Sequence, residues 1–392
     1  MKERLLSLLR LPLWRDYRFL LALWLIIGLV AALMKLHANN NFLIFRGVFW
    51  HVIQQLPLYV PYPAEYLDLN YYGPLFSLIV APFAVVPQQV GMVMWCVALA
   101  MALYLAVRRS LLSRRQQIFV LWFCAHELLT ALYMQQFNVA IAALIIATFF
   151  AIEKERDGTA AFFIVVGTLT KLYGVVGLAF FLFSRHKVRL TLWLAVWAAL
   201  LFAVPMAISS PEYVVAQYGE WLTALTGKNA DNLFASHQNI SLLGIVRKVS
   251  GVATYSDLWL IAPGLLLFAL PYLRFKQYGN AAFRQTLLAS VLMFVVLFST
   301  GSESSGYIIA LTGVAVWYTA APWQRSKWDM ALMVLAFVLT SLSPSDLFPA
   351  YLRREWVQPY ALKALPVAIV WLQLCYEMML RDYGQKPLDA TD

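Results

Sequence analysis

Apolar residues fill this chain in long blocks, separated by short clusters of Lys and Arg. A helix needs about 20 apolar residues to cross a bilayer, and shorter broken helices serve where they line a protein cavity. The blocks therefore predict spanning helices over residues 19–36, 90–107, 118–133, 137–152, 159–171, 173–183, 190–208, 257–273, 285–299, 306–320, 328–341 and 361–380. Block 74–87, PLFSLIVAPFAVVP, is too short and too proline-rich to span. It is expected to lie as a helix at the outer interface or to dip back out. The stretches 37–89, 209–256 and 342–360 are longer than simple connectors. The expected fold class is an all-α polytopic membrane protein with about twelve transmembrane helices. One integral domain is expected, running from a first span at 19–36 through a long first outer loop, 37–89, to spans within 90–208. A second outer loop, 209–256, then leads to the last spans, within 257–380, and a cytoplasmic tail, 381–392.

Charge orients this arrangement. Basic residues gather at the N-terminus (Lys2, Arg4, Arg10, Arg15, Arg18), at Arg108-Arg109 with Arg114-Arg115, and at Lys154 and Arg156. Further clusters are Arg185 to Arg189, Arg274 and Lys276 with Arg284, Arg325 and Lys327, and Arg381. Lys and Arg mark cytoplasmic loops. An even number of spans puts every cluster and both termini on that side. The first block lacks a small-residue cleavage site before Lys35, so it reads as an uncleaved span.

Composition agrees with a bilayer. Only 13% of residues are charged and 62% are hydrophobic, whereas soluble domains carry roughly 25% charged residues. The net charge of +10 sits in the short loops, and no basic stripe with interleaved aromatics suggests nucleic acid. Cys96, Cys124 and Cys375 lie inside apolar blocks, without zinc-ligand spacing or a disulfide framework. No Walker loop, GxGxxG, GxSxG or DxD motif offers a nucleotide platform. No cofactor is expected. No compact carboxylate cluster suggests a metal.

Polar groups at membrane depth are functional candidates by default. Glu127 follows His126 in one block. Gln135, Gln136 and Asn138 separate two blocks, and Lys171 interrupts TLTKLYG. His237, Gln238, Asn239 and Ser241 precede another span, and Glu303 lies in GSESSG. The assigned topology brings them to the same outer level as Glu65 and Asp68, which suggests a cavity there. The bland alternative is that each residue snorkels or caps a helix end.

Several strings carry a family likeness: NNFLIFRGVFWHVI (40–53), LPLY (56–59), YPAEYLDLNYYGPLFSL (62–78), APFAVVP (81–87), QQFN (135–138), TKLYG (170–174) and QNISLLG (238–244). In this order the chain resembles glycosyltransferase family 87, most closely its Bacteroidetes-type members. The resemblance implies a GT-C fold and an inverting hexosyltransferase, with mannose a candidate sugar. The implied donor is a polyprenyl-phosphate-linked sugar. The implied acceptor is an envelope glycan or glycolipid that enters from the outer side, among the lipids of a bacterial inner membrane. Relatives place a carboxylate of the first outer loop at the active site. Many carry Asp where this chain has Asn41, and amides do not take protons at neutral pH. Relatives often have histidines in the segment where this chain has Glu303. The catalytic base is thus left to Asp68 or Glu303, with Glu65 and Glu127 behind them. Arg46 and Lys171 are the candidates for the donor phosphate. Asn41, Tyr71, Tyr72, Glu127, Gln136, Asn138, His237 and Asn239 are the candidates for sugar and acceptor contacts. Two other readings stay open: a transporter or flippase of lipid-linked sugars, and a non-catalytic partner in envelope glycan assembly. Polar groups on one face rather than at the midplane argue against a transporter.

Overall fold

A computed structural model describes residues 12–235 and 237–384. The expected basic residues Lys2, Arg4 and Arg10 and the last part of the tail lie outside the described residues. Within them, all regular structure is helical. Helix α1 spans Tyr17–Met34. It starts where the Asp16 carboxylate accepts the Arg18 N–H at 2.8 Å, an N-cap that satisfies one of the free donors of the first turn. Then come α2 (Asn40–Gln54), α3 (Phe76–Ala84) and α4 (Gln88–Arg108). The stretches Tyr17–Met34, Gln88–Arg108, Lys187–Ala207 and Leu362–Leu380 are long and apolar enough to cross a membrane. Shorter apolar helices lie at Asn138–Glu153, Tyr173–Phe183, Leu258–Leu273 and Ala281–Leu297.

The structure differs from the expected blocks in three places. The first outer stretch is not mainly loop, because α2 occupies much of it. Phe42, Ile44, Phe45, Val48, Phe49 and Val52 repeat at helical spacing and are buried together. The helix stops at Gln55, which takes a left-handed conformation with φ 56°. Block 118–133 is not one helix. It divides into α5 (Arg114–Phe123) and α6 (Ala125–Tyr133), which meet at Cys124. Block 173–183 is a 3₁₀ segment, Tyr173–Phe183.

Two antiparallel helices precede that segment, α7 (Asn138–Glu153) and α8 (Asp157–Lys171). Helix α8 ends because Leu172 is left-handed at φ 53°. The chain then doubles back so closely that a Cβ on Gly174 would collide with the backbone of Gly167 and Thr168. Glycine at 174 makes this crossing possible.

Helix α9 (Lys187–Ala203) leads to the second outer stretch, which is also largely helical: α10 (Pro211–Asp231) and α11 (Leu242–Ser250). Hydrogen bonds join this stretch to the first. Leu58 N–H donates to Gln217 Oε1 at 2.8 Å, Trp221 Nε1 donates to Tyr71 O at 2.9 Å, and Tyr213 OH donates to Leu56 O at 2.6 Å. Helices α12 (Leu258–Ala269), α13 (Ala281–Leu297), α14 (Tyr307–Ala320), α15 (Lys327–Leu335) and α16 (Leu365–Leu380) complete the bundle. Most residues of α7, α13 and α14 are buried, so these helices form its centre.

Ion pairs mark one end of the bundle. Arg284 at the start of α13 pairs with Glu153 at the end of α7 at 2.8 Å. Arg189 Nε at the start of α9 donates to Asp157 Oδ2 at the start of α8 at 2.7 Å. Asn138, Lys171 and the segment after α13 therefore fall at the opposite end.

Candidate active site

At that opposite end, α8 delivers Lys171 as its last residue. Thr170 O accepts the Gly73 N–H at 3.1 Å, which ties the first outer stretch to the same helix end. The Lys171 ammonium donates to Asn138 Oδ1 at 2.7 Å and lies 3.5 Å from Tyr72 OH. Tyr72 OH donates in turn to Gln136 Oε1 at 3.0 Å, and Asn138 Nδ2 donates to Ser305 Oγ at 3.2 Å. This half-buried cation is held by neutral groups. Among the described residues no carboxylate forms an ion pair with it, and Glu303 shares its cavity without direct contact.

Lys171 faces a cavity of about 240 Å³. Asn41, Asp68, Tyr71, Tyr72 and Gln136 share its wall with Tyr173, Lys228, Asn232, Ser299, Thr300 and Glu303. Asn41, Asp68, Tyr71, Tyr72, Gln136, Lys171 and Glu303 thus converge, although they come from well-separated parts of the chain. Lys228 was not among the expected residues. Its ammonium sits 3.8 Å above the Tyr71 ring and 3.8 Å from Glu303 Oε1.

The two carboxylates of the cavity differ. Glu303 is already engaged. Gln238 Nε2 donates to its Oε1 at 3.1 Å, Ser305 OH reaches its Oε2 at 3.5 Å, and Lys228 lies nearby. Asp68 is exposed. Its Oδ1 accepts the N–H of Leu69 at 2.7 Å, and among the described residues it forms no ion pair. Asn41 Nδ2 donates to the carbonyl of Met134 at 2.9 Å. A carboxylate placed there would meet that carbonyl with no proton between them, so the amide suits this position where a base would not.

Other expected residues are placed elsewhere. Arg46 does not line the cavity; its Nε donates to Ala84 O at 2.9 Å and an Nη donates to Val86 O at 3.3 Å, so it caps the end of α3. Glu65 pairs with the buried His51 at 3.1 Å and latches the first outer stretch. Glu127 is fully buried against Lys363 Nζ at 2.7 Å. Asn138 stands behind Lys171. His237 borders a separate cavity of about 50 Å³ beside Arg353 and Lys363. Asn239 shapes its own turn at φ 51°; its Oδ1 accepts from Ser241 OH at 2.8 Å. The next residue, Ile240, donates its N–H to Ser302 O at 2.8 Å and so positions the Glu303 segment. Lys248 clamps the same loop by donating to Ala235 O and Gln238 O, both at 3.0 Å. Burial pulls the pKa of Lys248 down to about 8. Among the described residues, no three His, Cys, Asp or Glu side chains converge as metal ligands.

Sequence reading missed Lys228, Tyr173, Asn232 and Lys363. One signal was available for the lysines. Both fall on the side where the orientation rule expects fewer Lys and Arg, and a cation there needs a local partner.

No curated protein matches this chain. Among solved structures, ArnT from Cupriavidus metallidurans, crystallised with undecaprenyl phosphate, is similar at a TM-score of 0.39 and 14% identity, over 92% of this chain and 77% of ArnT. The model of Glycosyltransferase family 87 matches residues 70–300. That match spans Tyr71, Tyr72, Gln136, Lys171 and Lys228, beginning just after Asp68 and ending just before Glu303. It takes in more than half of the sequence, and the chain belongs to glycosyltransferase family 87.

Proposed function

We propose that this family 87 protein is an inverting transferase that moves a hexose from a polyprenyl phosphate to a glycan or glycolipid acceptor. The cavity would face the outer side of a bacterial inner membrane, as the positions of the basic loops suggest. The observation that carries the reading is the composition of the cavity: Lys171 and Lys228 share it with the exposed carboxylate of Asp68. An acceptor hydroxyl attacks the anomeric carbon, and Asp68 takes its proton. The bond from that carbon to the phosphate oxygen breaks, its electron pair leaves with the oxygen, and the freed product is polyprenyl phosphate. Lys171 and Lys228 stabilise the charge that develops there. Asp68 is favoured over Glu303 because Glu303 already accepts a hydrogen bond from Gln238 and has Lys228 beside it. Tyr71, Tyr72 and Gln136 supply the ring faces and hydrogen-bonding groups that a sugar needs.

The test is transfer by purified protein from radiolabelled polyprenyl-phosphate hexoses to envelope-glycan acceptors. Removing a general base costs about 10²–10⁴-fold in rate. Asp68→Asn is expected to lose that much while keeping its melting temperature and donor binding. Near-normal turnover in Asp68→Asn alongside a dead Glu303→Gln would move the base to Glu303. Donor binding without transfer by the wild-type protein, on any donor, would support the carrier or assembly-partner reading instead.

A further inference from the structure

A second and larger cavity of about 520 Å³ lies between α4, α7 and α8, with its basic mouth at the ionic end of the bundle. Its walls are apolar, with Leu105, Ala143, Ala147 and Phe163 among the lining residues. Its mouth is not: Arg109, Lys154 and Arg156 ring it, and Ser110 and Thr159 add hydroxyls. These three cations are exposed. Among the described residues none of them pairs with a carboxylate, and the one polar contact from their side chains is Lys154 Nζ donating to Arg109 O at 3.1 Å. The acidic groups nearby are taken by other cations: Glu153 by Arg284 at 2.8 Å, Glu155 by Arg185 at 2.8 Å, and Asp157 by Arg189.

We propose that this groove binds one anionic glycerophospholipid, with its phosphate among Arg109, Lys154 and Arg156 and an acyl chain between α4, α7 and α8. The charge calls for an anion, and the apolar walls call for a chain attached to it. Along α7 the lining runs from Lys154 to Phe137, about 25 Å at helical rise. One leaflet of hydrocarbon is about 15 Å deep, so a full acyl chain fits. The mouth is built from two of the basic clusters that face the cytoplasmic leaflet, where anionic lipids are attracted to Lys and Arg. The inference does not depend on the transfer reaction, and its test reads lipid occupancy alone.

Purified full-length protein is exchanged into phosphatidylcholine nanodiscs containing a minor fraction of phosphatidylglycerol, released into detergent and weighed by native mass spectrometry. One phosphatidylglycerol is expected on the wild type. Arg109→Ala/Lys154→Ala/Arg156→Ala is expected to lower its occupancy about tenfold. Ala143→Phe keeps every charge but fills the groove, and a loss of similar size is expected. If Ala143→Phe does not fold, Ala106→Leu on the partly exposed wall replaces it. Undiminished occupancy in the triple variant, or in the groove-filling variant, would overturn the site, the latter by showing surface attraction alone. Equal retention of phosphatidylcholine would reduce it to ordinary boundary lipid. Displacement of phosphatidylglycerol by equimolar polyprenyl phosphate would assign the groove to the carrier lipid instead.

Discussion

Two lysines flank the short segment from Ser302 to Ser305, and the protein treats them in opposite ways. Lys363, only 3% exposed, gives its protons to Glu127 Oε1 at 2.7 Å, Ser304 O at 2.9 Å and Ser304 Oγ at 2.9 Å. Its charge is cancelled and all three of its donors are used. Lys171 is half-buried, is held by the neutral Asn138 and Tyr72, and faces the 240 Å³ cavity. A buried ion pair with every donor satisfied holds structure together, whereas a cation supported by neutral groups beside a cavity keeps charge available for a ligand. Residue type is the same in the two cases. What separates them is the partner.

The strongest way to break this comparison is to remove Lys363. Lys363→Met leaves the Glu127 carboxylate buried without its cation, and losing one member of a buried pair costs about 3–5 kcal/mol. Chemical denaturation in detergent is expected to show a loss of that size. Adding Glu127→Leu to the same chain is expected to restore most of it, because the pair is then replaced by apolar groups. A Lys363→Met protein as stable as the wild type would end the claim that this corner is structural.

The matching change at the other corner should behave differently. Lys171→Met removes a charge that has no carboxylate partner, so its melting temperature should hold or rise. Donor affinity should fall about 10–100-fold, the equivalent of a hydrogen bond to a charged group. The measurement is equilibrium binding of a polyprenyl-phosphate sugar, beside acceptor binding as a control. Equal losses for donor and acceptor, or destabilisation as large as that of Lys363→Met, would erase the distinction.

The sequence made some of this visible. Apolar blocks locate α1, α4, α7, α8 and α16 because each exposes or buries a nearly unbroken apolar surface. The same hydropathy measure hid α2, α10 and α11. Those helices carry Asn, Arg, Gln, Glu and Lys on one side, so the helical repeat in 42, 45, 49 and 52 was the better guide. Most cavity residues were legible as polar groups at helix ends. The partners that decide their roles were not, since Lys363 lies 236 residues from Glu127 and Trp221 lies 150 from Tyr71. Arg46 shows the limit plainly. An arginine in the right loop looks ready for phosphate, but only folding reveals that two carbonyls at the end of α3 already occupy it.

Lys228 sits between the two extremes and gives the finest test. Like Lys363 it has a carboxylate, Glu303, but at 3.8 Å, with both side chains about one-fifth exposed: 20% and 19%. Like Lys171 it lines the cavity. A loose, partly wet pair of this kind is worth about 0.2–1 kcal/mol and is screened by salt. Lys228→Gln should therefore leave stability within that range and weaken donor binding only a few-fold. Its contribution should fade as salt is raised from 0.05 to about 0.5 M, where the screening length shrinks below about 5 Å. The contribution of Lys171, fixed by Asn138 at 2.7 Å and shielded from bulk water, should persist over the same range. Measuring donor affinity for both variants across the salt series separates the roles. If the two lysines lose their effect in parallel, both act as surface charge and the cavity does not hold phosphate through Lys171. If only the Lys228 effect fades, Lys171 is the fixed contact and Lys228 draws the anion in.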